Sequence, residues 1–543
     1  MRAIVDIETD SLDATKVHCI VAKDIDSGRV YLFPPDLLTK FKSWSQGIKQ
    51  FIMHNGLSFD APVLNRLLGT NIKPNQVIDT LVLSQLYNPL RDGHSLSAWG
   101  TKLNMPKGDV DTFEVYTPDM LEYCKQDVNI THKVFQELKK ESKGFSAYSS
   151  EIEHKIRVII DQQERNGFAI DMQKAMSLYN LLKDEADKLE KWSVDYFDPT
   201  VVKLKTKTKY IPFNIGSRQQ IADRIMKLGW KPKQHTDKGN IIINEAVLDT
   251  IDLPEARKFS RFFLLQKRIA LIKSWIKACD DKDGRVHGRV MTLKTITGRM
   301  SHNSPNMAQI PAVRSPYGKE CRECWTVSNT STHSIVGTDA SGLELRCLAH
   351  LMNDTTFTDI LLTGDIHTHN MKMAGLTDRD QAKTFIYAFM YGAGAAKIGK
   401  IVGEGAREGG QLITKFLSSM PALKRVRDEV TKAAIKGKIR GIDGRVLYIR
   451  SAHSALNTLL QGAGAVVCKV WLINIMTRVR TLGVDVKLVA SIHDEYQFEV
   501  LNTDVKKFGQ ITKDAMKDTE KELRMKCPLD SEWKVGKTWA QTH

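Results

Sequence analysis

Asp6 and Glu8 stand two residues apart in the opening run AIVDIET. On a strand, residues i and i+2 share a face, so both carboxylates point the same way. Like charges on one face repel, and a divalent cation relieves that repulsion. Two more acids follow: Asp60 in HNGLSFDAPVL, at an expected helix start, and Asp127 in YCKQDV, four residues after Tyr123. A spacing of four puts Tyr123 and Asp127 on one helix face. Four acids with no interleaved base are hard oxygen ligands suited to Mg²⁺ or Mn²⁺. Two such ions about 4 Å apart can activate a water and stabilise a leaving oxygen in phosphodiester hydrolysis. Tyr123 is placed to orient that water.

A second acid set lies far along the chain. SIVGTDASGLELRCLAH begins as an apolar strand and delivers Asp339 at its end. VKLVASIHDEYQFEV reads as two strands around a tight turn, with Asp494 and Glu495 at the tip. Strand ends present ligands from a rigid frame, so Asp339 and Asp494 could hold a second metal pair, with Glu495 as a looser ligand. Between them runs RDQAKTFIYAFMYGAG, where Arg379, Lys383, Tyr387 and Tyr391 recur every fourth residue. On a helix these form one slowly turning stripe about 18 Å long. Two cations followed by two rings suit a nucleoside triphosphate: charge for phosphates and an aromatic face for the base.

These residues need rigid carriers. Residues 3–7, 17–22 and VYLF read as strands, followed by helical periodicity in APVLNRLL and MLEYCKQDVNITHKVFQELKK. This α/β unit ends near Lys143-Gly144. A long amphipathic helical stretch runs from Ile152 to about Trp192, broken at Asn166-Gly167. Residues 201–246 are polar and Lys-rich, helix returns at 254–278, and strand patterns occur at 334–340 and 487–500.

The chain has 543 residues, 42% hydrophobic and 26% charged, enough for several structural units. Lys and Arg exceed Asp and Glu by 16, which favours a polyanionic partner such as nucleic acid. The eight cysteines include one CxxC, Cys321 and Cys324, without the further ligands a zinc site needs. They are expected to be free thiols. The N-terminus lacks a signal-peptide pattern, and no uninterrupted apolar run reaches the ~18 residues of a membrane span. The expectation is a cytoplasmic protein with no membrane association.

The ordered motifs DIET, HNGLSFD and YCKQD resemble the three motifs of the DEDDy 3′→5′ proofreading exonucleases. DASGLELR, RDQAKTFIYAFMYG and HDE resemble motifs A, B and C of family A (Pol I-type) DNA polymerases, and TGRMSHNSPNMAQIP and LNTLLQGAGA resemble further segments of that family. The resemblance spans essentially the whole chain and is strongest to the replicases of short-tailed bacteriophages. It implies an α/β and α+β multidomain fold: a ribonuclease H-like exonuclease domain at 1–145, then a right-hand polymerase. Within the latter it implies a thumb with connecting helices at 146–285, palm at 286–355 and 441–543, and fingers at 356–440.

The resemblance also assigns roles. Asp339 and Asp494 would hold two catalytic Mg²⁺ ions, replaceable by Mn²⁺, with Glu495 nearby. Asp6, Glu8, Asp60 and Asp127 would hold the exonuclease pair, with Tyr123 beside them. Arg379, Lys383 and His367 would contact the incoming triphosphate, Tyr387 would stack near its sugar and base, and Glu344 would crowd the ribose 2′ position. Tyr391 would sit at the template base, and Arg299, Gln461 and His493 would read the minor groove, whose acceptors are similar for all correct pairs. Tyrosine at 387 implies acceptance of dideoxynucleotides. Primer–template DNA and dNTPs are the implied partners, with a phage helicase-primase and a single-stranded DNA-binding protein as candidates, acting on a monomer. One coliphage member grips thioredoxin through a long thumb insertion; here the corresponding stretch, about Asp195 to Asn214, is short, which argues against thioredoxin. That stretch alternates Lys203, Lys205, Lys207 and Lys209, which in an extended chain would line one face and track duplex phosphates. Ala388 replaces a glycine common in the family.

Overall fold

In the computed structural model, residues 1–203, 206–236 and 238–542 are described. They divide into two compact units. The first comprises Met1–Asn166, Val290–His302 and Val336–Lys534; the second comprises Gly167–Arg289, Asn303–Ile335 and Val535–His543.

The N-terminal part of the first unit is built on a five-stranded sheet. Its middle strand, Arg2–Thr9, lies between Val17–Asp24 and Gln50–Met53; Val30–Phe33 and Val77–Asp79 form the edges. Pairing is antiparallel to Val17–Asp24 and parallel to Gln50–Met53. The middle strand is nearly continuous in apolar residues because both of its faces are covered. Ala3, Val5 and Ile7 enter one core with Phe41, Phe51 and Leu64. Ile4 enters another with Met120, Cys124 and Val128 of the helix Pro118–Glu141. That helix starts on a Thr117 cap that accepts from the Met120 N–H, has Pro118 in its first turn, and ends with Lys139 and Lys140. Its apolar face therefore lies against the sheet face that carries Asp6 and Glu8.

The C-terminal part has a four-stranded sheet in the order Val486–Ile492, Glu495–Leu501, His333–Ala340, Ser531–Gly536. The helix Ala455–Leu482 runs behind it and is buried along nearly its whole length. The slightly longer helical span Ala452–Leu482 is long and apolar enough to cross a membrane by length and composition. This differs from the expectation that no such stretch exists, because Gln461 and Lys469 interrupt the run without lowering its mean hydropathy enough. Most of that window is buried inside the protein as its principal core helix.

Inside this core lies an ion-pair network. Lys469 Nζ reaches both Glu153 oxygens at 2.8 and 2.7 Å and the Thr292 carbonyl at 2.9 Å. Arg445 lies 2.8 Å from both Glu153 and Asp443. It joins the helix Ala147–Asn166, the core helix and the segment that leads to Arg299.

In the second unit the expected break at Asn166-Gly167 holds a short strand, Phe168–Ile170, before the helix Met172–Tyr196. Ala175, Leu178, Leu182 and Ala186 recur at helical spacing and are buried. This helix packs on Pro254–Ala278, tied by Arg261 to both oxygens of Glu185 at 2.6 and 2.9 Å. The lysine-rich stretch departs from expectation. It forms two antiparallel strands, Thr200–Lys203 and Thr208–Ile211, with Val202 opposite Lys209 and Lys203 opposite Thr208. Opposite residues share a face and neighbours alternate, so Lys203 and Lys209 point to opposite faces. Lys205 lies outside the described residues. Among the described residues, Lys203 and Lys209 therefore do not share one face; strand pairing satisfies the backbone groups that an extended segment would leave open. All eight cysteines are free thiols.

Candidate active sites

The N-terminal acids converge. Asp6 and Glu8 stand on the middle strand, Asp60 opens the helix Asp60–Leu68, and Asp127 lies on the helix Pro118–Glu141. Glu8, Asp60 and Asp127 are all buried. Burial is the main cause that raises each carboxyl. Glu8 is pushed up to about 8, with Asp127 and Asp60 adding to it. Asp60 also reaches about 8, although backbone N–H groups oppose the rise. Asp6 is raised well above the carboxylate range by burial, then by Asp60, Glu8 and Asp127. The four acids thus form a desolvated cluster of the kind a divalent cation neutralises.

Two side chains at this site were not evident from motif spacing. Cys124 offers its sulfur with Asp6 and Glu8 so that the three ligand atoms lie within 4.8 Å of one another. Its S–H donates to the Asp6 carbonyl and carboxylate at 3.3 and 3.5 Å. Lys107 supplies a cation from the connection before the helix: Nζ lies 2.5 Å from Asp127 Oδ2 and 4.7 Å from the Tyr123 ring centre. Burial would lower the Lys107 ammonium, but Asp127 and Tyr123 outweigh it and raise it. The acids are therefore not free of basic neighbours, as their spacing suggested. Lys107 is remote from them in sequence, and only its loop brings it in. That loop is pinned by Gln126 donating to the Pro106 carbonyl at 3.1 Å and by the Phe113 carbonyl against His18 at 2.8 Å. The carboxylate set fits a hard divalent cation, with Asp6 and Glu8 as its nearest pair.

The second acid pair also converges. Ala340 N–H donates to the Asp494 carbonyl at 3.1 Å, which sets the end of the strand carrying Asp339 against the turn carrying Asp494. Asp339 is exposed and Asp494 half-buried. Burial raises the Asp494 carboxyl, opposed by a backbone N–H, His493 and Arg299. Glu495 is not at the tip but is the first residue of the next strand; it is buried and accepts from Gln497 at 2.5 Å. His493 takes a left-handed φ of 56°, the strain expected in so tight a turn. Two strand ends bearing carboxylates at one end of the sheet fit a divalent cation, with Glu495 buried.

Arg299, His493 and Asp494 line one cavity with Gly464, Ala465 and Cys468 of the core helix. Gln461 is one turn before Gly464 and Ala465 on that helix and is half-buried. Gly298 has φ 75°, and a Cβ there would stand 2.7 Å from Arg445 Nη1, so only glycine fits beneath Arg299. Arg299 reaches Glu344 at 3.2 Å, and Tyr391 donates to the same carboxylate at 2.8 and 2.7 Å.

Arg379, Lys383 and Tyr387 lie on the helix Arg379–Met390, while Tyr391 is its C-cap rather than its last turn. Lys383 is exposed; Tyr387 and Ala388 are half-buried against the core, which accommodates the Ala388 methyl. The His367 ring centre is 6.2 Å from that of Tyr387. His367 is lowered by burial, then by the nearby Lys383 and Arg379 cations, which favours its neutral ring. Asp365, which the spacing argument did not single out, links the Arg379 side chain to the His367 backbone N–H.

The family model for DNA polymerase family A matches residues 187–541. The DNA-directed DNA polymerases of Enterobacteria phage T3 and Escherichia phage T7 are 30% and 29% identical to this chain, across 99% of each chain. Among solved structures, the POL domain of Pol1 from M. smegmatis, in complex with DNA primer-template and dNTP, has a TM-score of 0.83 at 18% identity, over 99% of this chain and 95% of its own. That likeness is one of fold. The N-terminal acid cluster lies outside the span matched by the family model.

Proposed function

Because the chain belongs to DNA polymerase family A, we propose that it is a DNA-directed DNA polymerase with two chemically separate phosphodiester sites on one polypeptide. One site extends a primer on a template with dNTPs. The other removes nucleotides from the primer 3′ end and so proofreads. The single observation that carries the first reading is the Ala340–Asp494 backbone bond, which brings two carboxylates remote in sequence to one end of the sheet. The second rests on the buried cluster of Asp6, Glu8, Asp60 and Asp127, and on a sheet in which only Val17–Asp24 runs against the other strands. That arrangement supports the ribonuclease H-like reading.

Asp339 and Asp494 would hold the polymerase metals, Mg²⁺ by their oxygen chemistry, and the four N-terminal acids the exonuclease metals. Bound divalent ions supply a lowered pKa for the attacking oxygen and charge neutralisation for the leaving one. Arg379, Lys383 and His367 bind the triphosphate and stabilise charge that grows on the departing pyrophosphate. Tyr387 presents its ring to sugar and base. Glu344 occupies the space a ribose 2′-hydroxyl needs, held there by Tyr391 and Arg299. Arg299, Gln461 and His493 meet minor-groove acceptors and test pair geometry without testing sequence. A frayed, mispaired 3′ end reaches the N-terminal cluster as a single strand, where Tyr123 orients the attacking water.

The domain division follows the same reading: exonuclease at 1–145, thumb at 146–285, palm at 286–355 and 441–543, fingers at 356–440. Separate apolar cores for residues 3–77 and for the large C-terminal cluster support its first boundary. The test is extension of a 5′-labelled primer on a template, with dNTPs and then with NTPs. Extension with dNTPs alone is expected. Extension with NTPs alone would favour an RNA polymerase, and no extension with either would overturn the reading.

A further inference from the structure

Asp365 is a half-exposed carboxylate whose hydrogen-bonding capacity is filled from two helices. It caps Ile366–Ala374, accepting from the His367 N–H at 3.0 Å, the Thr368 N–H at 3.3 Å and the Thr368 hydroxyl at 2.8 Å. It also accepts from Arg379 Nε at 2.7 Å and Nη2 at 3.1 Å. One side chain therefore fixes the first turn that bears His367 and the fork of Arg379 in the first turn of the next helix. Bidentate pairing locks a guanidinium in plane and direction. With Nε and one Nη2 hydrogen committed, the two Nη1 hydrogens and the second Nη2 hydrogen of Arg379 remain for a ligand, and Lys383, four residues on, shares its helix face.

We propose that Asp365 is a positioning residue for the triphosphate subsite: it presets Arg379 relative to His367 and Lys383 before a nucleotide arrives. This rests on the polymerase reading above. The alternative partner for Arg379 is already beside it. Its Nη1 is 3.8 Å from Asp380, which is almost wholly exposed and points into solvent. Without Asp365, Arg379 exchanges one fixed pairing for many rotamers and a competing surface carboxylate, and ordering it again falls on nucleotide binding. Removing the Asp365 charge also makes the site more positive, which favours a triphosphate. That gain is screened at a half-exposed position, whereas the lost orientation is not, so weaker binding wins.

The variant to test is Asp365→Asn. Asparagine caps a helix as well as aspartate does, so the change removes the charged pairing while keeping the cap. Steady-state extension is measured for wild type, Asp365→Asn, Arg379→Ala and the double variant, each checked for an unchanged melting temperature. Asp365→Asn is expected to raise KM for dNTP about fivefold or more, with a smaller change in kcat. In the Arg379→Ala background the same change should add less than about twofold, because a residue acting through Arg379 has nothing left to position. An unchanged or lowered KM, or an effect as large without Arg379 as with it, overturns the proposal. Failure of the wild-type chain to extend a primer at all would instead overturn the polymerase reading.

Discussion

The Tyr391 hydroxyl lies 2.8 and 2.7 Å from the two carboxylate oxygens of Glu344, and Arg299 holds the same carboxylate from another side at 3.2 Å. An aromatic residue at the C-cap of Arg379–Met390 and an arginine remote in sequence thus clamp one acid. Glu344→Ala removes its bulk and leaves both donors without their acceptor. The ratio of kcat/KM for NTPs to that for dNTPs should rise by about tenfold or more, since tenfold corresponds to only ~1.4 kcal/mol. An unchanged ratio would remove Glu344 from sugar selection.

The N-terminal cluster makes stability depend on pH. Glu8 and Asp60 titrate near 8 in the folded chain, with burial the first cause, and near about 4 when unfolded. Between those values the folded state binds more protons than the unfolded state, so this contribution to stability falls as pH rises through that window. In chelator, the melting temperature should therefore drop from pH 5 to 8.5 more steeply for wild type than for Glu8→Gln with Asp60→Asn. A divalent cation that binds only the folded state should restore it at pH 8, by about 2.7 kcal/mol at a hundred times its Kd. Identical slopes for wild type and variant would contradict the burial argument.

Lys107 Nζ lies 2.5 Å from Asp127 Oδ2, so a divalent cation held by Asp127 would have to compete with it. Lys107→Ala should lower the Mg²⁺ concentration needed for half-maximal 3′ digestion, while the Mg²⁺ requirement of primer extension stays as in wild type. A higher requirement for digestion would show that Lys107 helps the reaction instead of opposing the ion.

Glu153 is the shared acceptor for Lys469 and Arg445 in the buried network. Glu153→Ala leaves two buried cations without it, and loss of one partner of a buried pair costs about 3–5 kcal/mol. Urea unfolding should show a loss of that order. A loss below about 1 kcal/mol would mean that the cations find water.

Much of this site was legible because its residues sit on elements with strong periodicity. DIET reads as a strand and Tyr123 and Asp127 as one helix face, and both are found there; of HDE, His493 and Asp494 form the turn and Glu495 already begins the next strand. What was hidden depends on loops and on tertiary approach. Lys107 enters through a connection without regular structure, Asp365 looks like an ordinary helix cap, and Glu153 and Lys469 meet only when two helices cross. The lysine alternation at 203–209 misled because a period of two says nothing about where a strand turns back. The core helix misled in the opposite direction, since its polar residues hide how apolar it is on average.

The account stands or falls on two independent sites, and one labelled primer reports both. On a primer–template with Mg²⁺, the wild-type chain should lengthen the primer with dNTPs and shorten it without them. Asp6→Ala with Glu8→Ala should only lengthen it, and Asp494→Ala should only shorten it. If the folded Asp6→Ala, Glu8→Ala chain lost both activities, or if neither variant changed either activity, the separation of the sites would be contradicted.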